Sequence, residues 1–438
     1  MHRHAVGVLW VILYILLVLS PLVLMLVRPT PPGRPFLIEA SVALGFVGLV
    51  MMAIQFVLIA RFPRMSAPFG IDMLLGYHRR IAIIALSFVI LHPVLLIVND
   101  PALAAWLDPF GGTWASRTGA WAVYAFILLA LLSIFRKQLR ISYEVWRLSH
   151  TVLGLGALLL AHIHVHLAGV YTDVVWREAV LIVISVVMVS AWGYIRLIKP
   201  AIVRRTPYKV AEVRPERGDV WSLSLAPVGH SGMQFMPGQY GYLKFGTPYS
   251  FNEHPFSIAS SAERTDRLEF AVKELGDFTN RIGQVQPGTT AYVDGPHGSF
   301  SPDLTPAPGY IFIAGGIGIG PFMSLLRTLA DRNDQRPVLL FYGEKSWDRT
   351  AFREELEELT KRMNLTIVYV LEQPPEGWEG ETGFVNEDVL RRHLPTDEGF
   401  GRHVFICGPN PMIDAVERAL TACGIPERNV SAERFALV

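Results

Sequence analysis

Residues 78–92 read HRRIAIIALSFVILH, an apolar run with a histidine at each end. Residues 150–164 read HTVLGLGALLLAHIH and repeat the same spacing between histidines. In an α-helix, fourteen residues turn through about 1400°, roughly four turns less 40°, and rise by about 21 Å. Each run therefore predicts a helix that carries two histidines near one face, one towards each side of a bilayer.

The first 200 positions contain six stretches without Asp, Glu, Lys or Arg, each near the ~20 residues that a membrane-spanning helix needs. Helices are expected because lipid offers no partners to open backbone groups. Only 18% of the chain is charged, against about 25% in soluble proteins. The first stretch exceeds the roughly 7–15 apolar residues of a signal peptide and is expected to be a retained helix. The stretches are 5–27, 40–60, 81–98, 118–135, 151–172 and 179–195.

Positive charge is distributed unevenly between the two sets of connecting loops. Thirteen lysines and arginines lie in loops on the side of the N-terminus, against four in the opposite loops. Cytoplasmic loops carry such an excess, so both termini are predicted to be cytoplasmic, in a multi-pass protein of the inner or plasma membrane. The thirteen are Arg3, Arg61, Arg64, Arg79, Arg80, Arg136, Lys137, Arg140, Arg147, Arg196, Lys199, Arg204 and Arg205, and the four are Arg28, Arg34, Arg117 and Arg177.

The four spaced histidines fall in the third and fifth stretches, which run in the same direction. His78 is therefore expected to face His150, and His92 to face His164. Two facing imidazoles can ligate one haem iron axially, so the spacing predicts two stacked haem sites. Hydrogen bonding between helices is the alternative, although ionisable residues in membrane spans are functional by default. His162 lies about 120° round the helix from His150 and is the reserve ligand.

Composition excludes several other classes of site. Lys and Arg number 39 against 38 Asp and Glu, so bulk charge does not indicate nucleic-acid binding. The two cysteines, Cys407 and Cys423, exclude a disulfide scaffold, a zinc ribbon and a four-cysteine iron–sulfur cluster within this chain.

Beyond Pro200 the pattern changes to alternating residues, turns and charge. Several short strands predict a small antiparallel β-barrel, and from Pro308 strands alternate with helices, as in a parallel α/β domain. We therefore predict a multi-domain membrane protein with a six-helix bundle over 1–200, a barrel over 201–306 and an α/β domain over 307–438. The strands predicted for the barrel are 208–213, 220–225, 240–245, 267–272 and 289–293.

Three segments of the predicted barrel have the chemistry to bind a flavin. Residues 254–260 read HPFSIAS, where an aromatic ring can stack on the isoalloxazine and a hydroxyl can bond near its reactive nitrogen. Residues 273–279 read KELGDFT, a glycine turn with backbone donors before a helix, which suits a pyrophosphate. Residues 295–298 read GPHG, a tight turn that closes the barrel.

The α/β domain has motifs typical of a nicotinamide dinucleotide site. Residues 315–321 read GGIGIGP between a strand and a helix, the context that a phosphate-binding loop requires. Residues 407–412 read CGPNPM after a later strand, where a small thiol can lie against a nicotinamide ring. The chain ends ERFALV, and a terminal aromatic ring could cover the flavin.

Together these motifs resemble the ferric reductase/NADPH oxidase superfamily across nearly the whole chain. The resemblance implies two b-type haems in the bundle, held by His78, His92, His150 and His164. It also implies an FAD-binding barrel and an NAD(P)-binding domain. The cofactor-binding residues predicted in this way are His254, Pro255, Phe256, Ser257, Lys273, Gly276, Thr279, Gly315, Gly316, Gly318, Pro321, Lys345, Cys407, Gly408, Pro409, Glu433 and Phe435. The predicted catalytic residues among them are Ser257, Cys407 and Phe435.

The identity of the reductant is left open by residues 343–346, which read GEKS. Relatives that use NADPH usually have an arginine near this point. Lys345 could hold a 2′-phosphate instead, and this favours NADPH. Glu344 could accept a hydrogen bond from a ribose hydroxyl, which is typical of NADH.

The resemblance implies electron transfer from cytoplasmic NAD(P)H through FAD and both haems to an acceptor across the bilayer, either a ferric chelate or dioxygen. Axial ligation by two histidines leaves no open iron position, so the acceptor should react at the haem edge. One alternative is a relay that donates electrons to a periplasmic redox partner. The other is a membrane-anchored flavin reductase without haem.

Overall fold

The structure is a computed structural model that describes residues 2–26, 34–60, 62, 71–172, 174–250, 252–395 and 401–434. The chain folds as two compact units, Met1–Ile198 and Lys199–Val438. Arg28, Arg61 and Arg64, which entered the topology prediction, lie outside the described residues, as does the predicted site residue Phe435.

Among the described residues, six helices are long and apolar enough to cross a membrane, which confirms the predicted number. The helices extend beyond the charge-free stretches, because a helix can carry charged side chains where it leaves the hydrocarbon. The third helix starts ten positions before its stretch and so includes Arg79 and Arg80. The helices are α1 (His2–Leu26), α2 (Phe36–Leu58), α3 (Ile71–Asn99), α4 (Trp114–Ile134), α5 (Tyr143–Ala168) and α6 (Val175–Gly193).

The bundle is built from two closely packed helix pairs, α2 with α3 and α4 with α5. Small residues allow the close approach that stabilises helix pairs in lipid: a Cβ added at Gly48 of α2 would lie 3.0 Å from a methyl group of Val89 on α3. A 3-10 helix of seven residues, Pro101–Leu107, follows α3. The two helices that carry the spaced histidines are therefore packed against different partners, α3 against α2 and α5 against α4.

The second unit begins with the short helix α7 (Lys199–Val203) and an antiparallel six-stranded sheet in the order β4-β3-β6-β1-β2-β5. The two edge strands of this sheet meet through a bridge between Ile258 and Phe270, so the sheet curls as the predicted barrel does. The strands are β1 (Tyr208–Pro215), β2 (Val220–Pro227), β3 (Tyr240–Phe245), β4 (His254–Ser257), β5 (Leu268–Lys273) and β6 (Thr290–His297).

A parallel six-stranded sheet follows, in the order β10-β9-β8-β7-β11-β12. Every residue of its strand β7 is buried, as expected for a strand covered by helices on both faces. The strands are β7 (Tyr310–Gly315), β8 (Val338–Glu344), β9 (Leu365–Leu371), β10 (Glu381–Thr382), β11 (His403–Gly408) and β12 (Val430–Arg434). The helices are α8 (Ile319–Asp331), α9 (Arg353–Arg362), α10 (Glu387–His393) and α11 (Asn410–Ala422).

The two sheets of this unit are joined by a buried arginine on α8. Arg327 donates to Glu269 of β5 at 2.6 Å, to Glu355 of α9 at 2.6 Å and to the carbonyl of Ala259 at 2.8 Å. Burial lowers the pKa of Arg327, but the hydrogen bonds and charges of Glu355 and Glu269 raise it by more than burial lowers it. The pKa of Arg327 therefore lies above its usual value. The guanidinium therefore stays charged and holds the antiparallel sheet against the nucleotide domain.

Candidate functional site

Four histidines form two pairs within the helical bundle. The ring centroids of His78 and His150 lie 6.2 Å apart, and those of His92 and His164 lie 6.2 Å apart. These are the pairs that the fourteen-residue spacing predicts. Groups of three or more His, Cys, Asp or Glu side chains that could hold a metal are absent from the described residues.

Backbone carbonyls orient both rings of the second pair. Nδ1 of His92 donates to the carbonyl of Ser41 at 2.9 Å, and Nδ1 of His164 donates to the carbonyl of Ala115 at 2.8 Å. A carbonyl oxygen only accepts, so Nδ1 carries the proton on each ring. Nε2 is then left unprotonated, which is the state that binds a metal.

The first pair is oriented through a side chain. Nδ1 of His150 lies 3.1 Å from Oγ of Ser133. That hydroxyl donates to the carbonyl of Leu129 at 2.7 Å and accepts from Nε1 of Trp146 at 3.2 Å. Since its proton is committed to Leu129, it accepts from His150 as well. Nδ1 of His78 is buried and has no partner of ordinary hydrogen-bond geometry among the described residues, although the backbone of Gln55 on α2 lies near this ring.

The other two histidines of α5 face the neighbouring helix α6. Nε2 of His162 lies 2.7 Å from Oγ of Ser185, and Nδ1 of His166 lies 2.8 Å from Oε1 of Glu178. The rise and rotation of the helix separate these side chains from the face that carries His150 and His164. His162, the reserve ligand, therefore has a different hydrogen-bonding partner.

Aromatic rings cluster around the HPFS strand of the antiparallel sheet. The ring of Phe278 lies 4.3 Å from His254, 6.0 Å from Phe256 and 5.9 Å from Phe245, measured between centroids. Nε2 of His254 lies 3.0 Å from Oδ1 of Asn252. Phe278 was not among the predicted site residues, although it lies within the quoted 273–279 motif.

The turn at 273–279 is held by its own threonine. Oγ1 of Thr279 accepts from the backbone amides of Leu275 at 2.8 Å and Gly276 at 3.0 Å. These amides were expected to be available to a pyrophosphate, and in the structure they shape the turn instead. Lys273, at the end of β5, remains beside the nucleotide loop, with its Nζ 3.8 Å from where a Cβ of Gly316 would lie.

The glycine loop after β7 is packed too closely for side chains. A Cβ at Gly318 would overlap the carbonyl oxygen of Cys407, and a Cβ at Gly315 would overlap the sulfur of Met412. Gly316 has φ +54, a conformation that favours glycine. Pro321 follows in the first turn of α8, and Cys407 is fully buried beneath the loop.

Residues of the antiparallel sheet converge on this loop. A Cβ at Gly320 would lie 3.9 Å from Cβ of Ser257, and one at Gly298 would lie 3.7 Å from Oε1 of Glu433. Ser257 of β4 thus lies beside the start of α8, and Glu433 of β12 lies beside the turn that follows β6. Gly408 is the last residue of β11 and Pro409 follows it, and a Cβ at Gly408 would lie 3.3 Å from Cα of Gly315.

Comparison with known proteins gives three consecutive matches along the chain. Residues 44–161 match the ferric reductase like transmembrane component. Residues 206–300 match an FAD-binding domain, and residues 312–418 match the oxidoreductase NAD-binding domain.

Curated relatives match the second half of the chain. The reductase component of propane 2-monooxygenase from Rhodococcus jostii is 32% identical over 52% of this chain and 62% of its own length. Ferredoxin–NADP reductase B from Sorangium cellulosum is 30% identical over 52% of this chain and 96% of its own length. The chain spans less than two thirds of the first three curated relatives that it matches.

Among solved structures, the FAD/NAD-binding domain of nitric oxide dioxygenase from Vibrio cholerae is similar over 52% of this chain and 98% of that one. Its TM-score is 0.47 at 21% identity.

Proposed function

Because the chain belongs to the superfamily in which a ferric reductase-like transmembrane domain is fused to a ferredoxin-reductase-type FAD- and NAD-binding module, we propose a transmembrane electron-transfer function. The protein would carry electrons from cytoplasmic NAD(P)H, by way of FAD and two b-type haems, to an acceptor across the membrane. The observation that carries this proposal is the presence of two facing histidine pairs in a bundle joined to a flavin reductase.

The spacing of the histidine pairs fits axial ligation of haem iron. A metal–nitrogen bond is about 2 Å, and an imidazole nitrogen lies about 1.1 Å from its ring centre if ring bonds are about 1.33 Å. Two imidazoles on one iron would then have centroids roughly 6.2 Å apart. Both pairs have this separation. His78 with His150 would hold one haem, and His92 with His164 the other.

When bound, FAD and haem supply the redox chemistry, and the protein supplies binding and orientation. The hydrogen bonds to Nδ1 of His92, His150 and His164 fix the ring orientation and leave Nε2 for iron. In the reductase unit, Gly316 and Gly318 allow a dinucleotide close approach to the backbone at the start of α8. Ser257, His254 and Phe256 would line the flavin, and Glu433 and Cys407 would lie beside the reacting rings.

Two acceptors fit the proposal, a ferric chelate and dioxygen, and the haems held by the two histidine pairs would supply the electrons in either case. A periplasmic redox protein is a second kind of acceptor. A membrane-anchored flavin reductase without haem is the competing function, and it would use the histidines only as hydrogen-bonding groups between helices.

An anaerobic visible spectrum of the purified full-length protein, before and after addition of NADH or NADPH, tests the proposal. We expect a b-type haem spectrum that becomes reduced, with two haems for each flavin. Admitting air or a ferric chelate to the same sample then ranks the acceptors by the rate of reoxidation. Bleaching of flavin without any haem signal would contradict transmembrane electron transfer and support the anchored flavin reductase.

The charges at the carboxyl edge of the parallel sheet favour NADH as the reductant. Ligands bind at this edge in α/β sheets, where Glu344 ends β8 and accepts from the amide of Lys345 through Oε1 at 2.9 Å. The amide of Glu372, just after β9, donates to the carbonyl of Glu344 at 3.1 Å. The exposed segment 372–380 has three glutamates and no lysine or arginine. A 2′-phosphate, with a charge of about −1.5 to −2, would be repelled there, so we propose NADH in place of the NADPH that Lys345 alone favoured.

Replacing Glu372 with arginine is expected to raise kcat/KM for NADPH about tenfold relative to NADH, equivalent to roughly 1.4 kcal/mol. Stopped-flow reduction of the bound flavin by each nucleotide measures this ratio independently of haem. Glu427→Arg makes the same charge change at the opposite edge of the sheet, ahead of β12, and should leave the ratio unchanged. A wild-type protein that prefers NADPH would refute the assignment.

A further inference from the structure

Two glycines in the bundle have close contacts with the rings of the second histidine pair. A Cβ at Gly45 of α2 would lie 3.2 Å from Nδ1 and 3.3 Å from Cγ of His92. A Cβ at Gly119 of α4 would lie 2.8 Å from Nδ1 and 3.0 Å from Cε1 of His164. Each glycine is four residues after the carbonyl that accepts from the same ring, Ser41 and Ala115 respectively.

The spacing of four residues has a physical reason. A helical side chain leans towards the N-terminus and covers the preceding turn, so a side chain at position i+4 shields the carbonyl of residue i. That carbonyl has two lone pairs, and the helix itself uses only one of them. Glycine at i+4 leaves room at this carbonyl for a donor from a neighbouring helix, and at Ala115 that donor shares the oxygen with Oγ1 of Thr118, which lies 3.1 Å away.

The same arrangement occurs in both helix pairs. On α2, Ser41 and Gly45 receive His92 from α3; on α4, Ala115 and Gly119 receive His164 from α5. The first pair, His78 with His150, is called the inner pair below. It differs because the partner of Nδ1 of His150 is the hydroxyl of Ser133, whereas Nδ1 of His92 has the carbonyl of Ser41 in addition to the hydroxyl of Ser41. The repeated arrangement thus belongs to one ligand pair and acts on both of its rings.

We propose that Gly45 and Gly119 are positioning residues for the haem that His92 and His164 would hold, which is called the outer haem below. Each glycine gives one of these histidines access to a helix carbonyl that fixes the tautomer and the rotation of the ring. This inference rests on the ligand role proposed for His92 and His164. A methyl group at either position would press on the ring and compete for its place at the carbonyl. The outer haem should then bind less tightly or with altered axial geometry, while the inner haem keeps its environment.

The test uses Gly119→Ala and Gly45→Ala in the full-length protein. Haem per flavin, the low-spin electron paramagnetic resonance signals of the oxidised haems and their midpoint potentials are measured. We expect Gly119→Ala to lose about half of the haem, or to shift the signal and potential of one haem only, because overpacking is costly where neighbours cannot move. Gly45→Ala should have the same effect to a smaller degree, since its contacts are longer.

Gly156→Ala on α5 is the matched control, because a Cβ at Gly156 meets no atom within 4 Å. It should match the wild type in haem content, signals and potentials. An unchanged inner haem shows that the bundle of the variant is folded. If Gly119→Ala loses both haems, the test rests on Gly45→Ala, which should lose or alter the outer haem alone.

The positioning role would be overturned if both Gly45→Ala and Gly119→Ala kept two haems with unchanged signals and potentials. It would also be overturned if Gly156→Ala changed as much as these two variants do. A wild-type protein without haem would instead overturn the proposed function, so the two failures are distinguishable.

Discussion

Replacing His164 with alanine is expected to remove one of the two haems and to lower reduction of an acceptor across the membrane by at least about a hundredfold. Loss of an outer-shell partner alone typically costs 10–100-fold in metal affinity, and His164 is proposed as a direct ligand. Its ring faces His92 at 6.2 Å, and the proton on its Nδ1 is directed to the carbonyl of Ala115. Reduction of the bound flavin by NADH should persist, because the reductase folds as a separate compact unit.

The measurement is haem per flavin in purified protein, combined with stopped-flow reduction of the flavin and of the remaining haem. His162→Ala is the matched control on the same helix, because His162 bonds to Ser185 of α6. We expect that variant to keep both haems. Haem loss in His162→Ala but not in His164→Ala would transfer the ligand role to the reserve residue, and haem retention in both variants would contradict this ligand pair.

Replacing Gly318 with alanine is expected to lower kcat/KM for reduction of the flavin by NADH at least tenfold, equivalent to roughly 1.4 kcal/mol. The added methyl group would overlap the carbonyl oxygen of Cys407, which belongs to the central part of the parallel sheet. Backbone in a fully buried strand cannot move aside as a flexible side chain can, so the loop must shift. A displaced loop no longer brings its amides to the dinucleotide phosphates.

Stopped-flow reduction of the flavin measures this effect, and the thermal midpoint of flavin release separates loss of binding from loss of stability. Gly401→Ala provides the control in the same domain, since a Cβ there would have an ordinary contact of 3.4 Å with Pro308. An unchanged kcat/KM and midpoint in Gly318→Ala would show that the loop has room that the structure does not indicate.

Much of the architecture was predictable from local pattern. Charge-free stretches of membrane length predicted six helices, and the described part of the chain contains six helices of that kind. The helix boundaries were less accurate, because absence of charge marks the part of a helix that lies in lipid and not the whole helix. The strand β12 was not predicted: Val430–Arg434 is short, with Val430 and Ala432 as its two apolar residues, which is a weak strand signal.

The candidate site was predictable where one segment carries the signal. Regular spacing on α3 and α5 predicted which histidines share a face, and the glycine loop was recognisable between a strand and a helix. Gly45, Gly119 and Phe278 were not found in this way. Each acts on a residue far away in sequence, and a single glycine or phenylalanine in an apolar stretch has no distinguishing pattern of its own.

The sequence by itself determined the number of spans, the phase of the histidines and the order of the domains, because hydropathy and helical periodicity act locally along the chain. Only the tertiary structure decided which carbonyl meets each ring, that His162 bonds to α6, and that the amides of the 273–279 turn are satisfied by Thr279. Those outcomes depend on helices and strands distant in sequence, whose contacts are selected by packing and by the need to satisfy every buried polar group.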